Sequence, residues 1–170
     1  MDPRALIRDV PDFPEPGVLF RDITPLLGNG PAFQQAIDWL VSLYGAAEVD
    51  AVVGIESRGF IFACPLADRL GVGFVPVRKV GKLPGARHTE SYDLEYGSNV
   101  LEIHQDALQP GQRAVIVDDL LATGGTAAAA ARLVEMTGAD VRGMAFLVEL
   151  AALEGRAKLA SYRIDTQTRY

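Results

Sequence analysis

The stretch that decides the fold is Arg113-Ala114-Val115-Ile116-Val117-Asp118-Asp119-Leu120-Leu121-Ala122-Thr123-Gly124-Gly125-Thr126. Its apolar run from Ala114 to Val117 is typical of a strand that is buried on both faces of a parallel sheet. The glycine turn then leads into a helix, which we predict from Ala127 to Met136, with Gly138 ending it. A buried strand followed by a helix is the repeating unit of α/β folds.

Strands and helices alternate on both sides of this stretch. A helix is predicted to begin at Pro31, and another lies between two apolar strands and ends at Gly71. The further strands are predicted at residues 51–55, 73–77, 99–103 and 141–150. The sequence therefore predicts an α/β fold with a mainly parallel central sheet flanked by helices, and one domain over residues 1–170.

Three segments lack the periodicity of a helix or strand. Residues 11–17 contain three prolines, which exclude a helix and a central strand. Residues 79–91 are polar and basic, and they predict a long mobile loop of the kind that is usually functional. The polar residues 161–170 predict a frayed tail.

Composition limits the class of protein. The net charge of −6 argues against a nucleic-acid partner, because nucleic-acid binders usually carry a basic patch. No apolar run approaches the ~20 residues of a membrane span, and the first residues lack the build of a signal peptide. Cys64 is the single cysteine, so no internal disulfide can form. We expect a cytoplasmic protein without a membrane partner.

The stretch from 113 to 126 also carries a candidate site. Ligands of open α/β sheets bind at the carboxyl ends of the strands, where Asp118 and Asp119 stand. These carboxylates could accept hydrogen bonds from vicinal sugar hydroxyls, or bind a metal. The Thr-Gly-Gly-Thr turn places free N–H groups at a helix start, which favours phosphate. It matches neither a Walker loop nor a dinucleotide fingerprint.

Five segments together resemble the type I phosphoribosyltransferases, and most closely their adenine-specific branch. These segments are residues 18–23, 56–60, 78–84, 92–97 and 117–126. The resemblance implies the type I phosphoribosyltransferase fold with a small N-terminal hood, where residues 1–30 form the hood and base-binding segment. It implies transfer of the phosphoribosyl group of phosphoribosyl pyrophosphate (PRPP) to adenine, which yields AMP and pyrophosphate. It also implies Mg²⁺ held mainly through PRPP, and a homodimer.

The resemblance further implies a role for each group of site residues. Asp118 and Asp119 hold the ribose hydroxyls of PRPP, and a loop wraps its 5-phosphate, with a non-proline cis peptide bond expected next to Ser57 in the pyrophosphate loop. The 5-phosphate residues are Ala122, Thr123, Gly124, Gly125 and Thr126. The pyrophosphate residues are Glu56, Ser57, Arg58, Gly59, Arg78, Lys79 and Lys82. Cations there would stabilise the charge that builds on the leaving pyrophosphate.

The remaining implied roles concern the base. Adenine would lie against Phe20, with backbone groups of Leu19 and Arg21 reading its edge. Glu95 would take the proton that adenine loses, and Tyr96 would close over the site. Together with Glu95, Arg58 and Lys82 are the expected catalytic residues. The mobile loop, which the resemblance extends to residues 79–97, would close to exclude water.

Two other functions remain open at this point. One is a phosphoribosyltransferase for another purine base, and the other is a PRPP-sensing regulatory protein of the same fold. Retention of Glu95 and the loop cations favours an enzyme over the regulator. His88 and His104 are not spaced as metal ligands, and we interpret both as non-catalytic.

Overall fold

The computed structural model describes residues 3–45, 47–93 and 98–170. The strands in them are β1 (Arg8–Pro11), β2 (Leu19–Asp22), β3 (Ala51–Ile55), β4 (Gly73–Lys79), β5 (Arg87–Asp93), β6 (Ser98–His104), β7 (Arg113–Leu121), β8 (Asp140–Glu149) and β9 (Ile164–Arg169). The α-helices are α1 (Thr24–Leu27), α2 (Gly30–Leu43), α3 (Gly59–Leu70) and α4 (Gly125–Met136). Short 3-10 helices span Pro3–Leu6, Ala151–Leu153 and Gly155–Leu159.

A seven-stranded sheet forms the centre of the molecule, in the order β5-β6-β4-β3-β7-β8-β9. Strands β4, β3, β7, β8 and β9 are mutually parallel. The hairpin of β5 and β6 extends one edge in antiparallel pairing. The prediction of an α/β fold with a mainly parallel sheet is therefore confirmed.

Helices cover both faces of this sheet because the central strands are apolar on both faces. Val52 packs with the apolar side chains of α2 and α3, whereas its neighbour Val53 packs with those of α4. In β7, Val115 likewise packs with the side chains of α2 and α3, and Ile116 packs with those of α4. This alternation follows from the two-residue period of a strand, and it leaves the strand ends as the accessible edge.

The N-terminal hood is a separate antiparallel hairpin of β1 and β2. Arg8 and Asp22, which lie opposite each other in its register, form an ion pair of 2.6 Å. Residues 12–18 form no regular helix or strand, as the prolines predict, and the Phe13–Pro14 bond is cis. The hairpin carries Phe20 at its second strand.

The structure corrects the prediction of an irregular loop over residues 79–91. Arg87–Asp93 form strand β5, so in the described residues the irregular stretch after β4 ends before Arg87. Side chains of β5 alternate between exposed and half-buried, and every residue of the strand pairs with β6. The strand cannot be recognised from its own polar residues, because it is formed by backbone pairing with β6. Mobility of residues 79–97 stays a prediction.

The prediction of a frayed tail over residues 161–170 was wrong. Ile164–Arg169 form the edge strand β9, which pairs in parallel with β8. Thr168 is buried, and the aromatic ring of Tyr170 lies against the guanidinium of Arg21. A polar segment can form an edge strand because one of its faces remains in contact with solvent.

Several element boundaries also differ from prediction by a few residues, including two near the end of β7. The strand predicted to end at Asp118 continues to Leu121, because β7 keeps pairing with β8 up to Glu149. The helix predicted from Ala127 begins at Gly125. No helix in the described part of the chain is long and apolar enough to cross a membrane.

Candidate active site

A pocket of about 450 Å³ lies at the carboxyl ends of the parallel strands. It draws residues from the end of β3, the end of β4, the end of β7 and the start of α4. The lining residues are Glu56, Ser57, Arg58, Lys79, Tyr92, Asn99, Asp118, Asp119, Leu120, Leu121, Ala122, Thr123, Gly124, Thr126 and Ala127. Segments far apart in sequence meet there because parallel strands end at the same edge of a sheet.

Asp118 and Asp119 stand side by side on the pocket wall formed by β7. The backbone N–H of Asp119 donates a 2.9 Å hydrogen bond to the Asp118 carboxylate. Desolvation raises the pKa of Asp118, and the negative charge of Asp119 raises it further. Desolvation also raises the pKa of Asp119, although Arg58 opposes this effect. Two carboxylates in such surroundings favour ligands that donate hydrogen bonds.

Arg58 connects this acidic wall with the hood. Its Nε lies 2.6 Å from the Asp119 carboxylate. Its guanidinium carbon also lies 5.3 Å from the centre of the Phe20 ring, within the range of a cation–π contact. The Phe20 ring is further fixed by Phe13, whose ring centre lies 5.1 Å away in an edge-on arrangement. Arg58 therefore stands between the acidic pair and an aromatic face.

The turn from β7 into α4 forms the floor of the pocket. Gly124 precedes α4 with φ +80°, a conformation that side-chain-bearing residues rarely adopt. The first N–H groups of a helix have no partner within it, and the α4 start places them beside the hydroxyls of Thr123 and Thr126 at the pocket. An anionic group is the ligand that such a helix start favours.

The opposite wall is the turn after β3. The Glu56–Ser57 peptide bond is cis, as the resemblance implies. Gly59 lies directly against β7, since a methyl group there would come within 2.8 Å of both Asp118 Oδ1 and the Val117 carbonyl oxygen. Only glycine allows this close approach, which brings Ser57 and Arg58 to face the acidic pair.

Glu56 is held by β4. Its carboxylate accepts hydrogen bonds from the Lys79 backbone N–H at 3.0 Å and from Arg78 at 3.2 and 3.3 Å. Burial raises the pKa of Glu56, but the Lys79 N–H and the Arg78 guanidinium outweigh it and leave the pKa lowered. Arg78 is thus turned towards Glu56, whereas Lys79 lines the pocket.

Most of the predicted site residues meet in this one place, and some do not. Gly59 and Gly125 lie in the backbone behind the pocket lining, and Lys82 is exposed outside it. Leu19 and Arg21 belong to β2, beside Phe20. Glu95 and Tyr96, the predicted proton acceptor and closing residue, lie outside the described residues.

Sequence reasoning missed Tyr92 and Asn99 as lining residues. They lie opposite each other in the β5–β6 hairpin, with Asn99 Nδ2 3.5 Å from the Tyr92 hydroxyl. Tyr92 stood in a segment already singled out by resemblance, whereas no sequence signal marked Asn99. Its place at the pocket depends on a strand pairing that the polar sequence conceals.

The geometry offers three kinds of binding group in one pocket. Carboxylates suit hydroxyl donors, a helix start suits a phosphate, and Arg58 with Lys79 suits a second anionic group. A ligand that carries hydroxyls between two anionic ends would meet all three.

Comparison with known proteins agrees with this arrangement. Residues 24–168 match the model of the phosphoribosyl transferase domain, which is the class of protein that this fold and pocket define. Adenine phosphoribosyltransferase of Roseiflexus sp. (strain RS-1) is 59% identical over 165 residues, 97% of this chain and 96% of the relative. That of Thermosynechococcus vestitus is 56% identical over the full length of both chains.

Solved structures extend the likeness. A crystal structure of adenine phosphoribosyltransferase from Thermoanaerobacter pseudethanolicus superposes with a TM-score of 0.93 at 51% identity, covering 99% of this chain and 98% of that one. The enzyme from Saccharomyces cerevisiae, solved with an imino-altritol bisphosphate and adenine, has a TM-score of 0.93 at 44% identity, with 97% and 96% covered. The chain belongs to the adenine phosphoribosyltransferase family.

Proposed function

We propose that this chain transfers the phosphoribosyl group of PRPP to adenine, forming AMP and pyrophosphate. The observation that carries the proposal is the pocket itself, where the acidic pair, the α4 start and the turn after β3 face one another. PRPP has hydroxyls between a 5-phosphate and a pyrophosphate, which is the order in which these groups occur. Family membership makes the chain a pentosyltransferase, an enzyme of purine salvage.

Each part of PRPP then has a proposed partner. Asp118 and Asp119 accept hydrogen bonds from the ribose hydroxyls, and the backbone of residues 122–126 binds the 5-phosphate. The backbone of Ser57 and the side chains of Arg58 and Lys79 hold the pyrophosphate. Arg58 would exchange its contact with Asp119 for the pyrophosphate, since the ribose hydroxyls replace it at the carboxylate.

The bond from the anomeric carbon to pyrophosphate breaks as adenine N9 attacks that carbon. Negative charge builds on the leaving group, so cations that face it stabilise the transition state more than the ground state. Lys82 would join them when the loop over residues 79–97 closes, and closure would also exclude water as a competing acceptor.

Adenine would stack on Phe20, while backbone groups of Leu19 and Arg21 read its edge and separate a 6-amino from a 6-oxo purine. Phe20 suits this role because its ring stands beside Arg58, which lines the pocket. Glu95 would accept the proton that leaves N9, and Tyr96 would cover the site. The exchange is thus one bond broken, one bond formed and one proton moved to a carboxylate.

Mg²⁺ fits the chemistry of this pocket. PRPP would supply most of the hard oxygen atoms that Mg²⁺ prefers, and the carboxylates of the acidic pair stand in the same pocket. Bound in this way, the ion would neutralise charge on the pyrophosphate. Among the residues that the structure describes, no group of three or more His, Cys, Asp or Glu side chains could hold a metal ion. We further propose a cytoplasmic homodimer, as the family resemblance implies.

The deciding experiment measures AMP formation from PRPP and Mg²⁺ with adenine, hypoxanthine or guanine as the base. We expect turnover of adenine alone, with Asp118→Asn and Glu95→Ala reduced by ~100-fold or more, the range of a lost acid–base or positioning group. Asp38→Asn is the matched control, because it removes a surface carboxylate that pairs with Arg69 on α3. PRPP binding without turnover of any base would overturn the enzyme in favour of a PRPP sensor.

A further inference from the structure

The segment that follows β8 lies directly behind the turn from β7 into α4. Gly155 is buried there. A methyl group on Gly155 would come within 2.2 Å of the Ala122 carbonyl oxygen and 3.1 Å of the Gly124 nitrogen. Conversely, a methyl group on Gly124 would come within 2.4 Å of the Gly155 carbonyl oxygen. The two backbones therefore touch with no room for a side chain between them.

The neighbouring residue, Arg156, forms an ion pair that fixes the position of Gly155. Arg156 donates two hydrogen bonds of 2.9 Å to Glu149, one to each carboxylate oxygen. Arg156 also donates to the Ile164 carbonyl and the Thr166 hydroxyl, both at 3.2 Å. A two-pronged guanidinium–carboxylate contact restricts both direction and distance. The contacts of Arg156 with the end of β8 and with β9 therefore fix the position of Gly155.

Glu149 is a suitable anchor because it is itself held firmly. Its side chain is only 4% exposed, and it accepts a further hydrogen bond of 2.9 Å from the Thr166 hydroxyl. The next residue, Leu150, donates its N–H to the Leu121 carbonyl at 2.9 Å, which joins the ends of β8 and β7. The anchor and the turn that carries Ala122 are thus parts of one rigid edge of the sheet.

We propose that Gly155, held by the Glu149–Arg156 pair, is a positioning residue for the 5-phosphate loop of residues 122–126. It touches no substrate, and it sets the backbone path of Ala122 and Gly124 so that the loop N–H groups converge on one point. The inference deepens the proposed function, on which it rests. It also gives a role to an ion pair that has no group in the pocket and whose carboxylate, that of Glu149, is buried.

Displacing the loop by about 1 Å would weaken several phosphate hydrogen bonds together, because reacting and binding groups tolerate little misplacement. Gly155→Ala should therefore raise KM for PRPP by ~10-fold or more, and should raise KM for adenine much less. Gly73→Ala is the matched control: apart from its chain neighbours, no described residue has an atom within 4 Å of the added methyl group, and neither glycine has a positive φ. It should leave both constants unchanged.

A second variant keeps the test valid if Gly155→Ala does not fold. Arg156→Lys keeps the charge but loses the two-pronged contact. It should raise KM for PRPP in the same direction, with a smaller effect and kcat less affected. A lower melting temperature with unchanged KM for PRPP in both variants would overturn the proposal, because that is the result of a purely structural pair.

Calorimetric binding of PRPP with Mg²⁺, without any base, separates this inference from the proposed function. Wild-type protein that binds PRPP but turns over no base would refute the enzyme and leave the positioning role testable by Kd. Weaker PRPP binding by Gly155→Ala than by Gly73→Ala supports the role. Equal binding by the two variants contradicts it, whatever the outcome of the activity assay.

Discussion

Asp118 and Asp119 place two carboxyl groups on one pocket wall, where desolvation raises the pKa of both. An acid with a raised pKa in the folded state stabilises the fold below its unfolded pKa of about 3.9, and this contribution is lost as the pH rises through the folded value. Burial thus makes the charged forms of these two carboxyl groups costly in the ligand-free protein. Binding and stability oppose each other at this residue pair.

Asp118→Asn should accordingly stabilise the ligand-free protein while it impairs turnover. The amide oxygen of asparagine can still accept the Asp119 N–H, but it carries no charge. We expect the melting temperature at pH 7 to rise, since 1 kcal/mol corresponds to about 2–4 °C in a chain of this size. The difference from wild type should narrow as the pH falls towards 4. Thermal scans from pH 4 to 8 measure this difference in melting temperature. The control Asp38→Asn should melt at the wild-type temperature throughout.

A lower melting temperature of Asp118→Asn at pH 7 would contradict this account. It would mean that the charge of Asp118 contributes to the fold through Arg58 more than it costs through burial and repulsion. Asp119 is the closer partner of Arg58, at 2.6 Å. Asp118 is therefore the better residue for the test.

Strand β9 links the hood to the central sheet. Beyond its last residue, Tyr170 donates its N–H to the Glu149 carbonyl and accepts the Ala151 N–H, both at 2.8 Å. Its ring lies 4.0 Å from the Arg21 guanidinium carbon and 5.3 Å from that of Arg4. Arg21 follows Phe20 in β2, so the position of the hood hairpin depends on an element from the other end of the chain.

Tyr170→Ala should loosen this hairpin, because a cation–π contact contributes about 0.5–2 kcal/mol and this change removes the ring. We expect faster amide hydrogen exchange in β1 and β2, with exchange in β3 and β7 unchanged. Tyr170→Phe keeps the ring and serves as the control. Equal exchange in Tyr170→Ala and wild type would show that the hood is held by other contacts.

The β5–β6 hairpin shows how buried charge supports a polar element. Glu102 of β6 is 1% exposed, accepts a 2.8 Å hydrogen bond from Arg87 of β5, and also accepts the Gly81 N–H at 3.0 Å. These contacts fix both ends of the short loop that contains Lys82. The sequence pattern predicted β6 from its alternating residues, but β5 became recognisable only through its pairing with β6.

At the scale of the whole molecule, a single sheet separates two apolar clusters. Val53, Ile116 and Met144 face one cluster, while their neighbours Val52, Val115 and Ala145 face the other. Because the same strands line both clusters, disruption of one should disrupt the other. The predicted single domain over residues 1–170 should therefore unfold as one cooperative unit.

Calorimetry tests this domain prediction together with the proposed homodimer. We expect one unfolding transition, with a midpoint that rises with protein concentration, because association stabilises the folded state by mass action. Two resolved transitions would contradict the single domain. A midpoint that does not depend on concentration would contradict the dimer, and light scattering would then give the mass of one 18.3 kDa chain.

The sequence alone determined the elements whose signals are local. Strand β3 was predicted with its observed bounds, and β7, α3 and α4 were recognised because apolar runs and glycine stops act within a few residues. The acidic pair and the Thr-Gly-Gly-Thr turn were located by the same reasoning, since strand ends in parallel sheets share one edge. Resemblance, not pattern, supplied the roles of Arg58 and Glu95.

Only the tertiary structure decided which distant segments touch. Strands β5 and β9 are too polar to be recognised from their own residues, and they exist because β6 and β8 provide backbone partners. The same holds for Arg58 against Asp119 and for Gly155 against Ala122, where the partners come from different elements. Such contacts depend on segments of the chain that the hydrophobic core brings close together. A pattern within a few residues carries no information about which distant segments will meet.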